Sequence, residues 1–206
     1  GYQVAVPTAV ILQTLLLAAT QPLVPMAVSA STRGNLYLLA AAGEGVYRWA
    51  WTVLFPAAAL MAVYGGEIMG VLFGGDLHGA PGPFAVLALS LPLYLLCWFN
   101  LQLLSGLNRG KSAAVAIAVG SGVNAALNAA LIPWLGALGA ALASAAGLGF
   151  GTLVSASALR RAAPLPLPGK AMILGAAAGA AAAAIALVIR QTVAFGASPL
   201  VAAVTA

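Results

Sequence analysis

Six stretches of this chain, about 4–29, 46–64, 84–107, 112–132, 137–158 and 171–189, are apolar for long enough to cross a bilayer as a helix. A hydrocarbon core of about 30 Å needs roughly 20 apolar residues per helical span. A seventh stretch starts near Ser198 and runs to Ala206. Hydrophobic residues make up 63% of the chain and charged residues 5%, where a soluble domain carries about a quarter charged. The expected fold class is all-α: a polytopic transmembrane helical bundle of six complete spans plus a truncated seventh.

The chain opens at Gly1 without an initiator Met and stops inside an apolar run, and it is expected to be part of a larger membrane protein. Residues 1–29 are too long for a secretory leader and lack its basic leading region and cleavage site.

Charge placement sets the orientation. Alternating the spans puts three connectors on one side: Ser31–Gly45 with Arg33, Asn108–Lys111 with Arg109 and Lys111, and Leu159–Lys170 with Arg160, Arg161 and Lys170. Arg48 sits at the edge of that side, and only Arg190 of the eight basic residues falls opposite. An excess of Lys and Arg in short loops marks the cytoplasmic face, so the first span is expected to run from outside to inside. Asn35–Val46, leading into Tyr47-Arg48-Trp49-Ala50-Trp51, is expected to form a short interfacial helix bent into the second span. Rings and a guanidinium suit the headgroup layer there. On the outer side Gly65–Pro83 holds Glu67, Asp76 and His78, and Ile68–Phe73 reads as a short dipping or interfacial turn.

Polar side chains within spans seek partners or water, so their angular positions are informative. Gln3, Thr14 and Gln21 fall within about 20° of one another on the first span, either lining a hydrated cavity or bonding a neighbouring helix. Pro7, Pro22 and Pro25 disturb that geometry, since each removes a backbone donor. Ser121, Asn124 and Asn128 cluster within about 60° on the fourth span, where the two amides either clasp a neighbouring helix or touch a substrate. Asn100 and Gln102 point about 200° apart, so only one of them can face a given cavity while the other bonds a neighbour.

After Asn128, Pro133 is expected to end the helix, Trp134 to sit at the interface, and Gly136 and Gly139 to allow a tight outer turn. The next span carries Ala140, Ser144, Gly147, Gly151 and Ser155 on one stripe. Small residues at that spacing let helix backbones approach closely, which predicts a close-packed hairpin with a polar clasp. Gly175 and Gly179 predict a second such contact in the sixth span. The lone cysteine, Cys97, lies in an apolar run and reads as a small buried side chain. With one Cys and one His, no zinc-like ligand set is available.

The block LNAALIPWLGALGAALASA (Leu127–Ala145) resembles the LNxxLIPxxGxxGAAxA signature of polysaccharide flippases. These belong to the multidrug/oligosaccharidyl-lipid/polysaccharide exporter superfamily. VLFGGD (Val71–Asp76), LLSGLNRGKSA (Leu103–Ala113) and the opening GYQVA…LVPMAVSAS are similar to further family segments in the right order. The resemblance implies the C-terminal lobe of a MATE-like two-lobe transporter fold. Residues 1–158 would form lobe helices, 159–170 a basic, Pro-rich cytoplasmic loop, and 171–206 additional C-terminal helices. The family's eighth helix runs outside to inside, as the charge pattern here requires independently. The N-terminal lobe is absent, and with it most of the cationic cavity residues of the related peptidoglycan-precursor flippase, so none is carried over.

The resemblance implies a flippase that moves polyprenyl-pyrophosphate-linked oligosaccharide across the cytoplasmic (inner) membrane of a bacterium, by alternating access, for cell-surface polysaccharide biosynthesis. Candidate substrate-binding residues are Gln3, Thr14, Gln21, Arg48, Asn124 and Asn128. Arg48 and Arg33 either attract the pyrophosphate or snorkel as topology anchors. The expected partners are the lipid bilayer, the lipid-linked oligosaccharide and the missing N-terminal lobe, with no nucleic acid and no cofactor. The alternatives are a cation-coupled multidrug exporter and a peptidoglycan-precursor flippase. Cation coupling usually needs a carboxylate within a span, and Glu44, Glu67 and Asp76 all fall in loops or at edges. An enzyme would want convergent carboxylates or histidines. Glu44 lies inside while Glu67 and Asp76 lie outside, so no enzymatic activity is expected.

Overall fold

A computed structural model describes residues 13–14, 25, 28–29, 32–33, 36–73, 81–162 and 169–204. Among these, all but a few turn residues are helical and none is in a strand. The elements are α1 (Leu36–Trp49), a π-helical turn (Ala50–Leu54), α2 (Phe55–Val63), α3 (Gly65–Phe73), α4 (Pro81–Leu89), α5 (Leu91–Gly106), α6 (Gly110–Leu135), α7 (Ala137–Ala162) and α8 (Gly169–Val204). Four helical stretches, Ala40–Val63, Gly110–Leu135, Ala137–Ala162 and Gly169–Gln191, are long and apolar enough to cross a membrane. A fifth arises if α4 and α5, bent by 41°, form one span. The first expected span, 4–29, lies almost wholly outside the described residues, as do Asp76 and His78.

The helices stack in a row. α7 packs on α6 along one side and on α4 and α5 along the other; α2 bridges from α4 to α8. What is buried and what is exposed fits lipid as the solvent. Asn100, Ser90 and Ser155 are buried, while Val115, Ile117, Phe150, Leu153, Ile173 and Leu174 are exposed. A contiguous apolar surface of this kind would be a liability in water. In hydrocarbon it is the ordinary outer face of a span.

Contact register recovers the alternation read from the loops. Asn100 meets Tyr47 while Phe84, earlier on that side, meets Gly65; Asn100 meets Ser155 while Cys97 meets Gly151; Gly120 meets Gly147 while Leu131 meets Gly139; and Gly175 and Gly179 meet Trp51 and Phe55. So α5 runs antiparallel to α1 and parallel to α7, α6 runs against α7, and α8 runs alongside α1 and α2. Arg48, Arg109, Lys111, Arg160, Arg161 and Lys170 therefore gather at one end of the bundle, and Arg190 lies at the other beside Glu67. Lys111 and Trp134 stand about 35 Å apart along α6. Lys170 and Arg190 stand about 30 Å apart along α8. Both distances match the thickness of a hydrocarbon core.

Three boundaries differ from expectation. The segment expected as a short interfacial helix bent into the second span joins it as one helix, so the membrane-crossing stretch starts at Ala40 and not at Val46: α1 passes through the π-helical turn into α2. Pro56 explains the turn. It has no N–H to give and its ring would strike the carbonyl one turn back, so the ladder widens, with the Phe55 N–H bonded to the Ala50 carbonyl. Second, Pro133 lies inside α6 instead of ending it. Near the C-terminal end it leaves only one carbonyl without its usual donor, and the stop falls at Gly136, whose φ of +54° disfavours other residues. Third, no turn separates the sixth span from the stretch beginning near Ser198, because α8 continues to Val204.

The connector between α5 and α6 spans Leu107–Arg109. Asn108 takes a positive φ of 57°, the Arg109 N–H bonds the Leu104 carbonyl and the Asn108 N–H bonds the Ser105 carbonyl. This is the Schellman closure, with asparagine in the place usually held by glycine.

At the other end Arg190 ties α8 to the α2–α3 corner. Its Nε lies 3.1 Å from the Glu67 carboxylate, and Nη1 donates to the Val63 carbonyl at 3.3 Å. A cation there also suits the C-terminal end of α2. Both side chains are about half exposed, so solvent screens the pair. Arg190→Gln is expected to cost less than about 1 kcal/mol in detergent unfolding; a loss above about 2 kcal/mol would show the corner to be a principal brace.

Candidate substrate cleft

Glycine spacing positions the site. On α6 and α7 the backbones meet at Gly120 and Gly147: a Cβ on Gly147 would lie 2.7 Å from the Gly120 carbonyl oxygen and 2.8 Å from Asn124 Cβ. Near the turn, a Cβ on Gly139 would lie 2.6 Å from the Leu131 carbonyl oxygen. Gly151 faces Cys97 and Ala116. The close approach leaves a trough beside the seam, and α5 forms its second wall with Tyr94, Cys97 and Leu101. The resulting cleft has a volume of about 400 Å³.

Its polar lining is uncharged: the amides of Gln13 and Asn124 and the hydroxyls of Tyr94, Ser121 and Ser144. Ile117, Leu101 and Leu148 supply apolar wall. Asn124 Nδ2 donates to Ser144 Oγ at 3.2 Å, which fixes the amide across the seam. Asn128 Nδ2 donates to Asn124 Oδ1 at 2.7 Å, one turn away on the same helix. The Asn128 Oδ1 is buried and has no partner among the described residues. Among the described residues this mostly apolar wall presents no fixed charge, and its amides and hydroxyls can exchange hydrogen bonds with a polar neutral solute or with water.

The sequence candidates part company here. Asn124 forms the expected interhelical clasp with Ser144 and also lines the cleft. Asn128 supports Asn124 from behind and is not itself in the lining. Thr14 is exposed, and its neighbour Gln13 reaches the cleft instead. Arg48 is not in the lining either: it lies on the exposed face of α1, 3.6 Å from Glu44 one turn back. Gln3 and Gln21 lie outside the described residues. Tyr94 and Ser144 also line the cleft and were not among the sequence candidates. The spacing Tyr94, Cys97, Leu101 marks one face of α5 and was the available signal, and Ser144 was hidden among the small residues of its stripe.

Behind the cleft lies a second polar cluster that braces it. Tyr47 Oη donates to Asn100 Oδ1 at 2.8 Å, and Asn100 Nδ2 donates to Ser155 Oγ at 3.2 Å. Ser155 Oγ donates onward to the Thr152 carbonyl at 3.0 Å. Thr152 Oγ1 lies 2.7 Å from the Leu148 carbonyl and 3.1 Å from that of Leu93. α1, α5 and α7 are thereby joined by side chains that have no water to fall back on. Of Asn100 and Gln102, the helix-bonding member is Asn100.

Taken together, these helices, their lipid-suited surface and the two charged ends define an α-helical, multi-pass membrane protein. No protein-family model matches the chain, and neither the curated proteins nor the solved structures contain a match to it.

Proposed function

We propose that this chain is part of a membrane transporter, a flippase that carries a polyprenyl-pyrophosphate-linked oligosaccharide across the cytoplasmic membrane of a bacterium. The observation that carries the proposal is the cleft among α5, α6 and α7, whose mainly apolar wall carries a group of uncharged amides and hydroxyls, within a bundle that otherwise shows lipid an apolar face. Amides and hydroxyls beside one aromatic ring suit a sugar chain, whose many hydroxyls both donate and accept. The resemblance of Leu127–Ala145 to the flippase signature supports the same substrate class. In that family's MATE-like two-lobe fold this chain is the C-terminal lobe.

Against cation coupling stand the two described acids near the spans. Glu67 pairs with Arg190 at the α2–α3 corner; Glu44, expected in a loop or at an edge, lies instead within α1 near the basic end of the Ala40–Val63 stretch and pairs with Arg48, and neither acid lines the cleft. Alternating access would rock the lobe as a unit, the glycine seam and the Tyr47–Asn100–Ser155 brace keeping it rigid.

The test is transport by the reconstituted full-length protein of a fluorescent lipid-linked glycan between leaflets. Ser121 is exposed on the cleft wall, so Ser121→Trp fills the passage without loading the core. It is expected to slow transport at least about tenfold with the unfolding midpoint nearly unchanged. Failure of the wild-type protein to move the glycan would overturn the proposal; unaltered transport by Ser121→Trp would remove the cleft from the path.

A further inference from the structure

Four cations crown the open end of the α6–α7 hairpin. Arg109 and Lys111 lie at the start of α6, and Arg160 and Arg161 at the end of α7. The seam register, Gly120 against Gly147 and Leu131 against Gly139, brings Arg109 level with Arg160. A buried plug of Leu104, Ala113 and Leu159 with Val46 and Tyr47 holds the helix ends in one layer. All four side chains are exposed, and among the described residues none has an ion-pair partner. Arg48 differs, being paired with Glu44.

Below these charges the surface is apolar. Lys111 stands one turn from exposed Val115, Arg160 two turns from exposed Leu153, and Arg161 three turns from exposed Phe150, each pair on one helix face. The cations sit about one hydrocarbon thickness from Trp134, at the level of the headgroups. A molecule that satisfies both halves of this surface has an anionic head and hydrocarbon tails. Basic patches of this kind at the cytoplasmic ends of spans attract anionic lipid, by about 1 kcal/mol per cation near the surface.

We propose that the open end of the α6–α7 hairpin is a binding site for an anionic phospholipid of the surrounding membrane, Arg109, Lys111, Arg160 and Arg161 holding the phosphate and the Val115, Leu153 and Phe150 faces taking the acyl chains. The site lies at the membrane-facing end of the hairpin and does not depend on what the cleft transports. Because the contacts are exposed, retention falls as salt rises through the range where the Debye length drops below about 10 Å.

The experiment is native mass spectrometry of the full-length protein in neutral detergent, titrated with phosphatidylglycerol or phosphatidylcholine. The wild-type protein is expected to retain phosphatidylglycerol preferentially, and R109Q/K111Q/R160Q/R161Q to lose that preference by about fivefold per cation removed. R160K/R161K keeps the charge and is expected to keep the preference. Should the fourfold variant fail to fold, R160Q/R161Q and R109Q/K111Q are measured separately, each with an expected loss above about tenfold. Equal retention of both lipids by the wild type, or undiminished preference in the folded glutamine variants, would overturn the proposal. Equal retention of glycerol phosphate, which carries the charged head without acyl chains, would overturn it too, since it would show a phosphate site indifferent to the chains.

Discussion

Gly147→Ala is expected to destabilise the protein by about 1–3 kcal/mol in denaturant unfolding, while Gly149→Ala, two residues on, is neutral or stabilises by up to about 1 kcal/mol. The chemical change is the same single methyl group. At position 147 it would lie 2.7 Å from the Gly120 carbonyl oxygen and 2.8 Å from Asn124 Cβ. Neither obstacle is the far end of a flexible side chain, so the methyl fits only if α6 and α7 move apart. Separation also lengthens the Asn124–Ser144 hydrogen bond, already 3.2 Å. At position 149 nothing lies within 4 Å, and alanine brings only its better helix propensity. Gly120→Ala and Gly122→Ala form a second matched pair, with a Cβ at 2.9 Å from the Gly147 carbonyl oxygen in one case and open space in the other. Equal unfolding midpoints for Gly147→Ala and Gly149→Ala would refute the close seam. Because Gly147 also lines the cleft, transport should fall in the same order as stability.

That seam was legible from sequence because lipid removes the usual reason for helices to associate. With no hydrophobic drive between apolar helices, contact depends on close backbone approach and a few polar bonds, and both leave plain marks: small residues at fourth positions and rare amides. Gly147 and Gly151, Gly175 and Gly179, and the Asn124 amide were read from those marks. The partners of the glycines were not. Nothing in GAAAG says that Gly175 will meet the Trp51 carbonyl, because that contact depends on the π-helical turn that Pro56 imposes on another segment. The alternation of helix direction was also legible, since charge placement reflects insertion and is independent of packing.

The site was less legible for a related reason. A polar residue in a span can bond another helix or face water, and periodicity places it on a face without naming what lies opposite. Asn124 does both. Asn128 bonds Asn124 and so falls behind the wall. Gln13 and Thr14 are adjacent, about 100° apart, so choosing one over the other required the position of α5. Arg48 was open to two readings, phosphate ligand or topology anchor, and it sits outside the cleft lining on an exposed face beside Glu44.

Asn100→Ala carries the other large expected effect, a loss of about 2–4 kcal/mol. Asn100 is fully buried at the junction of α1, α5 and α7. Its removal deletes two hydrogen bonds, each worth about 0.6–1 kcal/mol inside a membrane protein. It leaves the Tyr47 hydroxyl buried without an acceptor, at a cost of about 1–3 kcal/mol, and opens a small void. Tyr47→Phe removes only the donor, and its cost is expected near 1 kcal/mol. The discriminating measurement is the cycle. Once Asn100 is alanine, Tyr47→Phe removes a hydroxyl that no longer has a partner, so the second change should be nearly neutral or favourable, with a coupling of at least about 1 kcal/mol. Strict additivity would mean that the two residues pack side by side without the bond. Asn100→Leu refines the point: it restores volume but not polarity, so it should remain well below wild type alone and recover on the Tyr47→Phe background. If leucine alone restores stability, packing and not hydrogen bonding holds these three helices together.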